Sequence, residues 1–266
     1  MQAPVIERSV LTVAGSDSCG GAGIQADLNT FAAFGVYGAS VITAVTARNT
    51  LAIEAVEPVS DHMIVAQMES VLEDLPVSAI KIGMLPSVPA IAILGEFLKQ
   101  QRTVPTVVDP VVIEPEGSRL TGETALEAIQ NHLFPLATLI TPNLEEARVL
   151  TGMTIGNMQQ MEDAAGELLE RGSSAVFLKG GRFGGEEITD ILLTRDGIVR
   201  YTHPAFESRF HGTGCALSSA VAAGLALGRP LTEAVQDGVD YVQACLRNSI
   251  APVKGRIGLL GHKALA

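Results

Sequence analysis

The sequence predicts an α/β fold: a mostly parallel sheet with helices on both faces. Two observations carry that expectation. Short apolar, β-rich runs alternate with segments of helical apolar spacing along the whole chain. Polar or glycine-rich turns follow four of the strands directly, at 15–23, 109–117, 141–146 and 179–185. With 266 residues, 47% apolar and 18% charged, the chain suits one sizeable domain, taken as 1–266, with a substantial core.

Taken in order, residues 10–14 form a first strand, and 24–34 a helix closed by Gly35. Residues 41–46 are a second strand. The segment 62–75 carries Ile64, Val65, Met68, Val71, Leu72 and Leu75 at helical spacing. A third strand at 79–84 precedes a helix at 89–101, and a fourth strand covers 106–111. There follow a helix near 122–133, a strand at 137–141, helices at 143–150 and 158–171, and a strand at 175–179. Residues 188–194 and 198–202 read as a hairpin around Asp196-Gly197. Helices near 214–227 and 231–248 close the chain, and the glycine-rich tail from 252 is expected to be loosely held. No linker, repeat or low-complexity segment is visible.

Composition excludes several classes. The formal net charge of -11 argues against a nucleic-acid surface, which needs clustered Lys and Arg. It leaves room for a small anionic ligand held by amides, one or two cations and a divalent metal. No charge-free apolar run approaches the about 20 residues of a membrane span. The first eight residues lack the basic and apolar regions of a signal peptide. Three cysteines, Cys19, Cys215 and Cys245, show no metal-ligand spacing, and their odd number argues against a disulfide framework. A reducing cytoplasm fits best.

In sheets of this kind ligands bind beyond the carboxyl ends of the strands, which is where the polar elements fall. The stretch His211-Gly212-Thr213-Gly214-Cys215 opens a small-residue helix, so unpaired amides at the positive helix end offer a seat for an anion. Cys215 lies at its focus, where amides would favour a thiolate; a small buried residue is the plain alternative. His211 reads as a group that positions the loop. The 15–23 loop admits close backbone approach to a ligand, or is a simple turn. It matches neither the dinucleotide fingerprint nor the Walker pattern. Asp109, at a strand end before Pro110, can orient a metal or phosphate, or cap the next element. Asn143 and Glu146 lie on one face and suit Mg²⁺, yet the same spacing is a capping-box variant. Lys179 can meet a phosphate, or be simply solvated, while Gly180 and Gly181 allow a loop to cover a nucleotide.

These elements together, in this order, resemble the hydroxymethylpyrimidine/phosphomethylpyrimidine kinases of thiamine biosynthesis, within the ribokinase-like superfamily. The resemblance runs over most of the chain. It includes 14–17, 20–28, 35–38, 40–44, Lys81-Ile82-Gly83-Met84-Leu85, Asp109-Pro110-Val111, Thr141-Pro142-Asn143-Leu144 with Glu146, Lys179-Gly180-Gly181 and 211–215. It implies a ribokinase-like three-layer sandwich, two successive ATP-dependent phosphorylations of an aminopyrimidine, Mg²⁺, and a homodimer. By position Cys215 accepts or polarises the acceptor hydroxyl, and the Gly212–Cys215 amides hold the transferred phosphoryl charge. Asn143, Lys179, Gly181 and His211 fall to ATP, and Asp109 and Glu146 to the metal. Gly15, Asp27, Thr46, Met84 and Val111 fall to the pyrimidine.

Three positions depart from the family pattern. Arg48 stands where Gln is usual, and a guanidinium donates only. Glu114-Pro115-Glu116-Gly117-Ser118 replaces a loop that typically carries lysine, and Arg182 replaces a frequent His. A pyridoxal-type kinase is therefore the alternative, and a ligand-binding relative with weakened turnover is a third reading.

Overall fold

The computed structural model describes residues 5–112, 123–183, 185–206, 208–252, 254–255 and 257–262. The departing loop 114–118 lies outside these residues. The strands are β1 (Ser9–Asp17), β2 (Tyr37–Arg48), β3 (Ile53–Pro58), β4 (Val77–Ile82), β5 (Thr106–Val108), β6 (Leu139–Ile140), β7 (Ala175–Gly181), β8 (Glu187–Thr194), β9 (Gly197–Pro204), β10 (Phe210–His211) and β11 (Gly258–Leu259). The helices are α1 (Gly23–Ala33), α2 (Asp61–Asp74), α3 (Val88–Gln100), α4 (Glu123–His132), α5 (Leu144–Thr151), α6 (Met158–Glu170), α7 (Thr213–Ala226) and α8 (Leu231–Arg247).

Nine strands form one sheet in the order β3-β2-β1-β4-β5-β6-β7-β8-β9. From β2 to β7 every neighbouring pair is parallel; β3, β8 and β9 join antiparallel. Side chains alternate across the sheet. Leu11 and Val13 of β1 enter a core shared with α2 to α6, while Val10 enters a second core under α1, α7 and α8. The expected mostly parallel sheet with helices on both faces is what forms.

α7 is buried on nearly every side, which its Ala, Ser and Gly residues permit. A Cβ on Gly224 would stand 2.9 Å from that of Ala234, so α8 packs against α7 at close range. This contact sets α7 in the layer with its first turn at the carboxyl ends of the strands. No helix among the described residues is long and apolar enough to cross a membrane.

Three expectations are corrected. β1 runs on through Gly15 to Asp17, with a register shift against β2 between Ala14 and Ser16, so the first glycine-rich loop starts at Ser18. β3 is an additional strand, drawn in by pairing with β2 although most of it is exposed. Residues 258–262 of the tail are held: Gly258 and Leu259 pair in parallel with Phe210 and His211, Leu260 is buried, and His262 meets the Tyr241 hydroxyl at 2.9 Å.

Candidate active site

A cavity of about 580 Å³ opens at the carboxyl ends of the parallel strands, against the start of α7. Its β1–β2–β4 side is lined by Gly15, Thr46, Arg48 and Met84, with Val111 beyond β5. Asp109, Asn143, Glu146 and Lys179 line the β5–β7 side, and His211, Gly212, Thr213, Gly214 and Cys215 close it. Fourteen of the sixteen candidate positions are thus brought together. Asp27 and Gly181 are not among the lining residues: Asp27 is fully buried, and Gly181 pairs within the sheet with Thr189.

The glycines are explained by two loops in contact. Gly212 has φ +83°, and a Cβ there would stand 1.8 Å from the Gly21 carbonyl oxygen. A Cβ on Gly21 would stand 2.5 Å from the His211 ring. His211 Nε2 lies 2.7 Å from Asp17 Oδ2, and Asp17 also accepts the Cys19 and Ala22 amides at 2.9 Å each. The ring thus fastens the β1–α1 loop to the segment entering α7. α7 itself begins without a side-chain cap, so its first amides keep their donors for a ligand.

The β5–β7 side is a compact charge cluster. Lys179 Nζ donates to Asp109 Oδ1 at 3.1 Å, and the Thr141 hydroxyl donates to the same oxygen at 2.9 Å. A Cβ on Gly214 would stand 3.3 Å from Lys179 Nζ, so the ammonium sits beside the open amides. Burial disfavours the Asp109 carboxylate, but Lys179 and Lys81 outweigh it and hold its pKa below the usual range. Burial likewise opposes the Lys179 charge, and Asp109 and Glu146 reverse this and raise its pKa. Glu146 is pushed up to about 8, first by burial and then by Asp109, against the pull of Lys179.

The capping-box reading of Asn143 and Glu146 holds. Asn143 Oδ1 accepts the Glu146 amide at 2.9 Å, and Glu146 Oε2 accepts the Asn143 amide at 2.8 Å. The Asn143 Oδ1 is thereby committed to its own helix. Asp109 and Glu146 offer hard oxygen donors suited to a divalent cation. Among the described residues no three His, Cys, Asp or Glu side chains group to hold a metal by themselves. A divalent cation held by these two carboxyl groups would need further oxygen ligands from outside the protein.

Cys215 departs from the sequence expectation. Burial raises its thiol to about 11, and neither Lys81 nor the Gly23 amide offsets that. Cys215 is half-buried in the cavity wall, and the protein packed around its sulfur disfavours the thiolate more than the nearby amides favour it. Sequence reasoning also missed Lys81, which borders the cavity from beneath with no exposed surface. Its signal was a lysine inside the apolar run of β4.

A second cavity of about 330 Å³ adjoins the first, and Asn143, Lys179, Gly180, Thr213 and Gly214 line both. Its far wall mixes apolar Phe206, Leu217, Val242 and Leu246 with polar Asp190, His203 and Gln243. A smaller cavity thus adjoins an anion seat, which in turn faces the larger one.

A family model described as phosphomethylpyrimidine kinase matches residues 17–259. A hydroxymethylpyrimidine/phosphomethylpyrimidine kinase of Rhizobium meliloti is 48% identical over 240 residues, covering 89% of each chain. The crystal structure of a phosphomethylpyrimidine kinase from Clostridium difficile aligns with TM-score 0.81 at 43% identity, covering 90% of this chain and 100% of that one. A Bacillus subtilis pyridoxal kinase in an ADP complex aligns with TM-score 0.89 at 33% identity, over 98% of both chains.

Proposed function

The chain belongs to the phosphomethylpyrimidine kinase family, and from that premise we propose that it phosphorylates 4-amino-5-hydroxymethyl-2-methylpyrimidine and then the resulting monophosphate, with ATP, in thiamine biosynthesis. It is a phosphotransferase of ribokinase-like fold. The observation that carries the reading is the uncapped first turn of α7, placed between the two cavities with Lys179 at their junction.

The nucleotide occupies the smaller cavity and sends its phosphates toward Lys179 and the 212–215 amides. Those donors are fixed before substrate arrives, so they meet the charge that builds on the transferred phosphoryl group without reorganising. Asp109 and Glu146 would hold Mg²⁺, which would supply charge neutralisation on the phosphate oxygens. The acceptor lies between Met84 and Val111, with its hydroxyl toward Cys215. Once its own proton has left, the sulfur takes the hydroxyl proton as the new O–P bond forms, and the bond from the γ-phosphorus to the bridging oxygen breaks to release ADP.

Arg48 favours a second reading. It lines the acceptor side, and its buried Nε has no hydrogen-bond partner. A pyridoxal-type alcohol is therefore the competing acceptor. Purified protein with ATP, Mg²⁺ and the aminopyrimidine is expected to give the monophosphate and then the diphosphate, followed by chromatography. Absence of both products sinks the assignment. A higher kcat/KM for pyridoxal than for the aminopyrimidine transfers it to the second reading.

A further inference from the structure

Lys81 and Asp27 form an ion pair in which neither side chain has any exposed surface. Lys81 Nζ lies 2.8 and 2.9 Å from the two Asp27 oxygens. Thr12 donates to Asp27 Oδ2 at 2.6 Å, and Ser219 donates to Oδ1 at 2.7 Å. Asp27 is thus held by three groups on three elements. A buried ion pair of this kind seldom stabilises a fold more than apolar side chains of the same size would, so its presence calls for another use.

Ser219 supplies the geometry. It follows Cys215 by one helical turn on α7, so the two side chains share a face. That face meets Asp27, the partner of Lys81, at the Ser219 end and the reaction cavity at the Cys215 end. A Cβ on Gly83 would stand 2.9 Å from Lys81 Nζ, so the backbone after β4 makes room for the ammonium. The charged groups acting on Cys215 come from each element packed around it: Lys81 from β4, Asp27 from α1 and Asp109 beyond β5. Lys179, from β7, feels the Cys215 charge in turn. Of the charges that act on the thiol, Lys81 has the largest influence and favours ionisation.

We propose that Lys81, locked by Asp27, is a positioning residue for phosphoryl transfer, a fixed positive charge that supports the Cys215 thiolate when it receives the acceptor proton. This rests on the reading of Cys215 as the proton acceptor. The balance is as follows. The thiol first releases its proton to solvent. The thiolate then takes the acceptor's hydroxyl proton while that oxygen bonds to the γ-phosphorus. The bond from that phosphorus to the bridging oxygen breaks, and ADP leaves with the electron pair. One proton is released per turnover. Asp27 keeps the ammonium in place and charged, and it does not touch the acceptor.

The test reads the thiol directly. In a Cys19→Ser/Cys245→Ala background, the iodoacetamide alkylation rate of Cys215 is followed against pH without substrates. Lys81→Met is expected to move the midpoint up by about one pH unit, roughly a tenfold loss of thiolate at a given pH. kcat should fall by at least that factor, with the KM for ATP unchanged. Lys81→Met/Asp27→Asn removes both charges and guards against misfolding; its midpoint should also lie above that of the parent. A midpoint at or below the parent in the folded double variant overturns the proposal, as does a raised midpoint with unchanged kcat. Failure of the Cys215 reading is seen separately, as full activity in Cys215→Ala.

Discussion

Gly212→Ala separates the cost of a strained backbone from the cost of a displaced anion seat. The new Cβ would stand 1.8 Å from the Gly21 oxygen, and real Cβ atoms keep at least 3.0 Å. The two loops must therefore part by about 1.2 Å, and the His211–Asp17 contact at 2.7 Å lies across that gap. A misplacement of about 1 Å costs on the order of 10²-fold in rate, so kcat is expected to fall about a hundredfold. Stability moves less. The left-handed φ of +83° costs alanine about 1–2 kcal/mol, and loss of glycine's freedom in the unfolded chain returns about 0.4–1 kcal/mol. Melting should drop by a few degrees beyond the unknown cost of parting the loops. Gly152→Ala is the control: φ is +73° and nothing lies within 4 Å of its Cβ, so it bears the backbone cost alone. Steady-state kinetics and thermal unfolding on both variants decide the matter. A Gly212→Ala kcat within twofold of the parent, or an equal kcat loss in Gly152→Ala, refutes the reasoning.

Cys215→Ala should lower kcat by about 10²–10⁴-fold, the usual reach of a general base, while calorimetry shows ADP affinity within twofold; parental kcat would remove the sulfur from the mechanism. Arg48→Gln gives the acceptor side a group that both donates and accepts, and should raise kcat/KM for the aminopyrimidine about tenfold, the worth of one good hydrogen bond. No gain would mean that Arg48 does not set acceptor choice. Asp17 supplies a pH signature. Burial disfavours its carboxylate, but the His211 contact and the Cys19 and Ala22 amides win and lower its pKa. Its contribution to stability is thus present above the unfolded value of about 3.9 and fades as pH falls through the lower folded value. Urea unfolding should show Asp17→Asn less stable than the parent at pH 6, with the gap closing below about pH 4; a gap independent of pH would contradict this.

Much of this architecture was legible in the sequence, because strand and helix periods alternate cleanly and every glycine-rich turn falls at a strand end. What escaped notice has physical reasons. β3 contains Glu54 and Glu57 and is mostly exposed, so it has no apolar period of its own and forms because β2 offers an edge. The tail is glycine-rich because it passes close to other backbone: a Cβ on Gly261 would stand 2.0 Å from the Asn248 carbonyl, a contact that composition reads as looseness. Asp27 was expected at the pyrimidine because its motif is; only packing shows that its side chain turns inward to Lys81. The thiol state of Cys215 depends on how much protein packs around the sulfur, which neighbours in sequence do not report.

The pairing of His211 with Leu259 has a consequence for biosynthesis. Residues 258–261 leave the ribosome after every strand of the main sheet, so a nascent chain can assemble that sheet while the segment entering α7 still lacks its parallel neighbour. Domains form largely as their chain emerges. The segment that enters the phosphate seat therefore gains its strand neighbour only once synthesis has passed Leu259.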